Sequence, residues 1–361
     1  MRQRPIRCSV LRGGTSKGLY FHAGDLPADR PTRDAVLMAA MGAPDPREID
    51  GMGGAHPLTS KVAVVRRSTR QDADVEYLFL QVWPDRAEVS DNQNCGNLLA
   101  GVGPFAIEEG VVDVAGDVTP VRIWMENTDS VAVAHVPTPD GVVAYDGDAR
   151  IDGVPGAHAP IPIDFLDVAG SSCGALLPTG NAVEVIDGVR VTCVDNGMPV
   201  VCLKAADVGI TGYESPAEIE ADDRVRERVE GIRLKAGPMM NLGDVTRKTV
   251  PKMSLLAPPR DGGVVSTRTF IPHRVHEAIG VFGAVSVATA CLVPGSVAAD
   301  VAEVPRETKE LDVEHPTGFF TISMELTADG GVRRAALLRT ARLLMRGEVL
   351  VPGALWKESR P

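Results

Sequence analysis

Short apolar runs, set apart by Gly, Pro, Asn and Asp, recur along most of the chain. VEYLFLQVW (75–83), VRIWMEN (121–127), SVAVAHV (130–136) and VRVTCVD (189–195) are rich in β-branched residues and partly alternate. That pattern predicts half-buried strands. Helical rhythm is rarer. PTRDAVLMAAMG has Pro31 near its start and Gly42 beyond its end, the usual asymmetry of a helix. NLLAGVGPFAIEEG (97–110) and AVSVATACLV (284–293) are apolar nearly all round, as buried central helices are. PAEIEADDRVRERVEGIRL (216–234) alternates charges and predicts an exposed helix.

Three pairs of segments echo one another in the same order, roughly 190 residues apart. LTSKVAVV around Lys61 resembles TVPKMSLL around Lys252. The apolar helix after Cys95 resembles the one starting near Gly283. MENTDSVAVAHV with a later VPG (154–156) resembles VEHPTGFFTISMEL with a later VPG (351–353). The expectation is an α+β chain of two similar lobes, 1–184 and 185–361, each a mixed β-sheet wrapped around one buried helix. The boundary would fall in the PTGNAVEVIDG region. Two such lobes would bring both central-helix N-termini, which favour anions, to one cleft.

Composition narrows the function. The 361 residues are 44% hydrophobic and 24% charged, an ordinary globular mixture. A net charge of -11 and only 4% aromatics leave little for a nucleic-acid partner. MRQRPIRCSV carries no apolar run behind its charges, so no signal peptide is expected. No window approaches the roughly 18 apolar residues of a membrane span. Six cysteines (8, 95, 173, 193, 202, 291) show neither CxxC nor a zinc-type Cys/His spacing. A reduced, cytoplasmic protein without metal, and not bound to membrane, is the expectation.

Several polar constellations remain. In SDNQNCGNLLAGVG, Cys95 stands between Asn94 and Gly96, with Asn97 following, where a loop becomes a helix. A helix N-terminus favours a thiolate, the asparagines suit a carboxylate or oxyanion, and Gly96 permits close approach. LRGGTSKGLYF supplies Arg12, Thr15, Ser16 and Lys17 around two glycines, a turn suited to an anion although it lacks the Walker order. DGMGGAHPLTSKVAVV ends in Ser60 and Lys61 against an apolar strand, where desolvation would lower a lysine pKa; a surface lysine at a strand edge is the other reading. STRTFIPHRVHEAIGVFGAVS offers Arg268 and His273 ahead of the second buried helix, with Ser286 standing near the place of Cys95. No third ligand accompanies His273 and His276, so an anion clamp is favoured over a metal.

RGGTSKG (12–18), LTSK ending at Lys61, NCGN (94–97) and the IPHR to GAVSVATACL segment (271–292) resemble the 2-methylaconitate isomerase (PrpF-type) family. The likeness covers nearly the whole chain. It implies the two-lobed diaminopimelate epimerase-like fold, no cofactor, a small tricarboxylate substrate, a homodimer by fold analogy, and an active site in the cleft. It places the family's catalytic lysine on Lys61 and its active-site cysteine on Cys95, with Thr15, Ser16 and the Asn94–Asn97 loop where substrate carboxylates are held. The parent epimerases use two opposed cysteines. Here Ala284, Val285 and Ser286 stand at the second site, which favours a one-sided proton shift over racemisation.

Within the family, IDGMGGA, GPMMNLGDV and TRTFIPHR resemble the branch that interconverts keto and enol 4-oxalomesaconate in gallate- or protocatechuate-type aromatic degradation. Lys61 would move the proton at carbon, which requires its pKa to fall by several units. Arg12, Lys17 and the helix N-termini would stabilise the dienolate. Cys95 would be acid or base on the opposite face, or a wall. Competing readings are allylic double-bond migration in an unsaturated tricarboxylate, an amino-acid epimerase, and a tricarboxylate-binding protein without turnover.

Overall fold

The computed structural model describes residues 3–91, 95–165, 169–305, 310–326 and 332–356. The chain divides into two compact units, Met1–Leu166 with Leu338–Pro361, and Asp167–Leu337. The division therefore falls some way before the expected 184/185 boundary, and the last residues return to the first unit.

In the first unit β1 (Gln3–Gly13) and β2 (Ser16–His22) form a hairpin, followed by α1 (Arg30–Met41). Next come β3 (Lys61–Arg67), β4 (Val75–Val82), the short β5 (Val89–Ser90), α2 (Gly96–Leu99) and α3 (Val102–Glu108). The unit continues through β6 (Val118–Met125), β7 (Ser130–Pro137) and β8 (Ile161–Phe165). β2 and β3 are parallel, β3 and β4 antiparallel, β4 and β6 parallel, and β6, β7 and β8 antiparallel in turn.

The second unit opens with β9 (Glu184–Ile186), β10 (Val189–Asp195) and β11 (Pro199–Lys204). Then follow α4 (Pro216–Ala221), α5 (Asp223–Met239), β12 (Lys252–Ala257), β13 (Val265–Phe270) and α6 (Val281–Leu292). β14 (Glu310–His315), β15 (Gly318–Leu326) and β16 (Val332–Arg339) complete it, and β16 hands the chain to β17 (Ala341–Pro352). After the antiparallel β10–β11 hairpin, β11 and β12 are parallel, β12 and β13 antiparallel, β13 and β14 parallel, and β14, β15 and β16 antiparallel in turn. The order of pairings repeats that of the first unit step for step.

Each sequence echo falls on equivalent elements. Lys61 opens β3 as Lys252 opens β12, and the apolar helices both follow the next strand. The exception is the second VPG. It ends β17, which lies antiparallel against β1 of the first unit, with Gln3 opposite Pro352. A long-range pairing of this kind leaves no local mark in sequence.

α1 forms for the reasons its sequence states. Asp29 caps Thr32 N–H, Pro31 sits in the first turn, and Gly42 closes the helix in the left-handed region at φ 85°. Two helices differ from expectation. NLLAGVGPFAIEEG breaks at Ala100–Gly101 into α2 and α3. Pro104 has no N–H to continue the ladder, and a side chain on Gly101 would overlap the Tyr20 hydroxyl. The charged segment breaks at Asp222, which caps α5 through Arg224 and Val225 N–H. α5 is amphipathic, burying Val225, Val229, Ile232, Arg233 and Ala236. α6 is buried from Gly283 to Cys291, as its composition requires.

One core joins Leu19, Phe21, Val36, Leu37, Val62, Leu80 and Val351; another joins Val191, Val201, Val229, Ile232, Met253 and Phe270. None of the six cysteines forms a disulfide. Among the described residues no helix is long and apolar enough to cross a membrane.

Candidate active site

The β1–β2 turn is held from two directions. Gly14 N–H donates to Thr340 O, while Arg12 Nη1 donates to Gly14 O and to both oxygens of Thr340. On the other side Thr15 N–H reaches Asn97 Oδ1 at 3.4 Å. Gly14 has φ +51°, and a Cβ there would overlap the Asn97 side chain, so the position demands glycine. Arg12 Nη2 and Ser16 Oγ are buried in this turn with no hydrogen-bond partner among the described residues. Orphaned buried polar atoms cost stability unless a ligand satisfies them. Burial, then Arg342, pulls the Arg12 pKa down, but a guanidinium stays charged.

Lys61 is set by the strands on either side, opposite Gly18 of β2 and Gln81 of β4. Gln81 Nε2 donates to Pro57 O, Ser60 O and Val82 O, fastening the segment that leads into the lysine. Glu48, buried and held at φ +46°, accepts hydrogen bonds from Ser60 Oγ and Ala55 N–H. The side chain of Lys61 is thereby carried inward, leaving the residue only 7% exposed.

Cys95 is the N-cap of α2, and its sulfur accepts from Leu98 N–H at 3.5 Å. Two buried tyrosines support this corner: Tyr20 donates to Leu98 O and Tyr77 to Cys95 O. Burial first, then the neighbouring Cys95, holds both phenols well above their usual pKa, so they stay protonated donors. Lys61 Nζ lies 3.3 Å from Cys95 Sγ. An amine and a thiol at that distance exchange a proton directly, so either can serve as base while the other is acid. Arg339 is buried within electrostatic reach of Cys95; burial pulls its pKa down to about 10 and Cys95 opposes the shift.

The structure thus gathers Arg12, Ser16, Lys61, Cys95, Gly96 and Asn97 in the first unit. Thr15 and Lys17 flank them on the same turn; Lys17 N–H is bonded to Leu58 O. Asn94 lies outside the described residues. The Ser60 hydroxyl is fully buried and given to Glu48 rather than turned outward. In the second unit Arg268 directs Nε to Glu214 O and Nη1 to Thr267 O. Ser286 is fully buried, donating to Met198 O and accepting from Asn196 N–H. His273 is 64% exposed by its side chain and 3.8 Å from Glu230. Nε and Nη1 of Arg268 and the Ser286 hydroxyl are therefore engaged with backbone. Among the described residues no group of three or more His, Cys, Asp or Glu side chains is placed to hold a metal ion.

Sequence reasoning missed Glu48, Gln81, Tyr20, Tyr77, Arg339 and Thr340. A signal existed for Gln81: on β4 it alternates with Tyr77 and Phe79, a polar residue on a buried face. Thr340 gave none, lying 328 residues from Arg12.

The α+β unit used twice is the diaminopimelate epimerase-like fold, and the chain's relatives mark it as an isomerase. The chain matches the PrpF protein family over residues 3–352 and belongs to it. It is 64% identical to a (4E)-oxalomesaconate Delta-isomerase of Novosphingobium sp. over 95% of this chain and 97% of that one. Identity to a 4-oxalomesaconate tautomerase of Pseudomonas putida is 59%, over 99% of both chains. The crystal structure of a methylitaconate-delta-isomerase superposes with a TM-score of 0.90 at 35% identity, covering 100% of this chain and 99% of that chain.

Proposed function

We propose that the protein is a cofactor-independent isomerase that interconverts the keto and enol tautomers of 4-oxalomesaconate, using Lys61 and Cys95. The observation that carries this reading is the Lys61–Cys95 contact at 3.3 Å inside the first unit. The keto substrate has a CH2 group between its ketone and its conjugated alkene. Loss of one proton from that carbon leaves a dienolate whose charge spreads to the ketone oxygen. Reprotonation on oxygen gives the enol, so atoms and charge balance without a redox partner. Lys61 takes the carbon-bound proton. Cys95, beside the Leu98 N–H dipole, returns or relays it. The orphaned Arg12 Nη2 and Ser16 Oγ are donors suited to substrate carboxylates. The reading assigns the enzyme to cytoplasmic degradation of gallate-type aromatic acids.

A second reading has a specific support, the 64% identity to a Delta-isomerase. The same dienolate protonated at the far alkene carbon moves the double bond instead of forming the enol. Two acid–base groups in contact suit such a 1,3-shift on one face. Proton NMR in D2O with keto 4-oxalomesaconate separates the outcomes. Enol formation with deuterium exchanged only at the CH2 carbon supports the tautomerase, and deuterium at the far alkene carbon supports allylic migration. Lys61→Met is expected to lower kcat/KM by about 10³-fold or more, within the usual contribution of a general base. Full activity in that variant would remove the mechanism.

A further inference from the structure

One strand carries supports for both groups of the lysine–thiol pair. Tyr77, Phe79 and Gln81 lie on one face of β4. Tyr77 donates to the Cys95 carbonyl at 3.5 Å, and the ring of the fully buried Phe79 has its centre 5.5 Å from Lys61 Nζ. On the edge of β4 away from β3, β6 pairs at 75–77 and β5 at 81–82. Phe79 falls between the two, where neither strand pairs with it.

A side chain fills that gap. Phe79 N–H donates to Asn127 Oδ1 at 2.8 Å, and Asn127 Nδ2 donates to Phe79 O at 3.0 Å. A primary amide offers an acceptor and a donor side by side, as backbone does, so Asn127 stands in for the missing strand residue. Its second N–H goes to Asp91 O at 2.8 Å. Asp91 directly follows β5 and stands four residues before Cys95. Its carboxylate is held too, by Arg30 Nη2 at 3.1 Å and Nη1 at 3.0 Å. One amide thus joins the strand beneath Lys61 to the segment that delivers Cys95.

Asn127 belongs to MENT (125–128), in the turn between β6 and β7, a segment echoed in the second unit by VEHP (313–316). The echo sets His315 at the place of Asn127, and His315 Nδ1 accepts from Thr317 N–H at 3.3 Å. The second unit forms the corresponding β13–β14 and β14–β15 pairings with that residue there. Sheet formation alone therefore does not call for the amide, which occurs in the unit that holds Lys61 and Cys95. The turn of Arg12 and Gly14 is fastened separately, by Thr340 and Asn97.

We propose that Asn127 is a positioning residue for the proton transfer: through Phe79 and Asp91 it keeps Lys61 and Cys95 in contact. This rests on the functional reading above, which gives the reaction to that pair. Loss of the amide leaves the Arg12 turn in place to bind substrate and displaces one reacting group from the other. Turnover then falls while KM holds.

The test compares the full chain with Asn127→Ala and with Asn127→Asp, which keeps the acceptor for Phe79 N–H and loses both donors. Thermal melts report folding. With 4-oxalomesaconate each variant should show kcat lower by about 10- to 100-fold and KM within about twofold of wild type. A second readout needs no substrate. o-Phthalaldehyde closes to a fluorescent isoindole across an amine and a thiol that touch, so wild type should give a signal absent from Cys95→Ala and Lys61→Met. Both Asn127 variants should form it at least about fivefold more slowly. Thr128→Ala, in the same turn but outside these bonds, should match wild type in both assays. Undiminished kcat, a rise in KM that accounts for the loss, or undiminished isoindole formation in the folded variants overturns the positioning role. So does a wild-type signal no greater than that of Cys95→Ala, or loss of folding in both Asn127 variants, which would make the amide purely structural. Failure of the tautomerase reading is seen separately: the isoindole pattern holds, yet wild type leaves 4-oxalomesaconate unchanged.

Discussion

Replacing Lys252 by methionine should stabilise the protein at neutral pH, and the gain should vanish in alkali. In the folded chain Lys252 titrates at about 8, against 10.5 for a solvated lysine. The folded value is the lower one, so the unfolded chain holds this proton more tightly. Below about pH 8 the folded state carries the whole penalty, and stability is regained as pH climbs from about 8 to about 10.5. The fall from 10.5 to about 8 corresponds to about 3 kcal/mol, and about 2–3 kcal/mol once the water that still reaches the side chain is allowed for. Methionine keeps most of the apolar stem that packs against its neighbours. Urea unfolding of Lys252→Met and wild type at pH 7 and pH 10.5 reads the difference directly. The variant should be more stable by about 2 kcal/mol at pH 7 and indistinguishable at pH 10.5. A variant less stable at pH 7, or a gap that does not close with pH, would refute the reasoning that burial and Arg233 disfavour this ammonium.

Three further outcomes follow. Glu48→Ala strips the acceptor from Ser60 Oγ and Ala55 N–H; a loss of about 2–3 kcal/mol is expected in urea unfolding, with a lower kcat because the segment entering Lys61 loosens. Gly18→Ala puts a methyl group into the Lys61 carbonyl; at least about 2 kcal/mol of destabilisation and a tenfold drop in kcat/KM should appear, since backbone must move. Cys173, Cys193 and Cys291 are pushed up to about 12 by burial, and Cys8 and Cys202 are raised for the same leading reason. Iodoacetamide at pH 7.5 should leave these five unmodified on the native protein, as mass spectrometry of the digest would show.

Much of this architecture was legible locally. Strand and helix patterns name themselves where a side chain's fate depends on neighbours two to four residues away: Asp29, Pro31 and Gly42 around α1 are such a case. The doubling was legible too, because equivalent strands in two similar sheets bury the same kinds of residue, so LTSKVAVV and TVPKMSLL read alike. Lys61 and Cys95 stood out because an ionisable group beside an apolar run, or at a helix start, has few structural reasons to be there.

What sequence alone determined is therefore most of the elements, their repetition and the candidate pair Lys61 and Cys95. Tertiary structure decided the rest, where partners far apart in the chain meet. It packed Tyr20 so close to Gly101 that no side chain fits there, in the helix that Pro104 interrupts by lacking an N–H for the ladder. It returned β17 to β1, so that Thr340 could hold the turn of Arg12 and Gly14. It turned Ser60 toward Glu48 and Ser286 toward Met198, although both hydroxyls read as substrate contacts in sequence. And it set Lys252 within electrostatic reach of the buried Arg233 guanidinium. Hydrogen bonds and charges act over a few ångströms whatever the separation along the chain, so local pattern does not encode them.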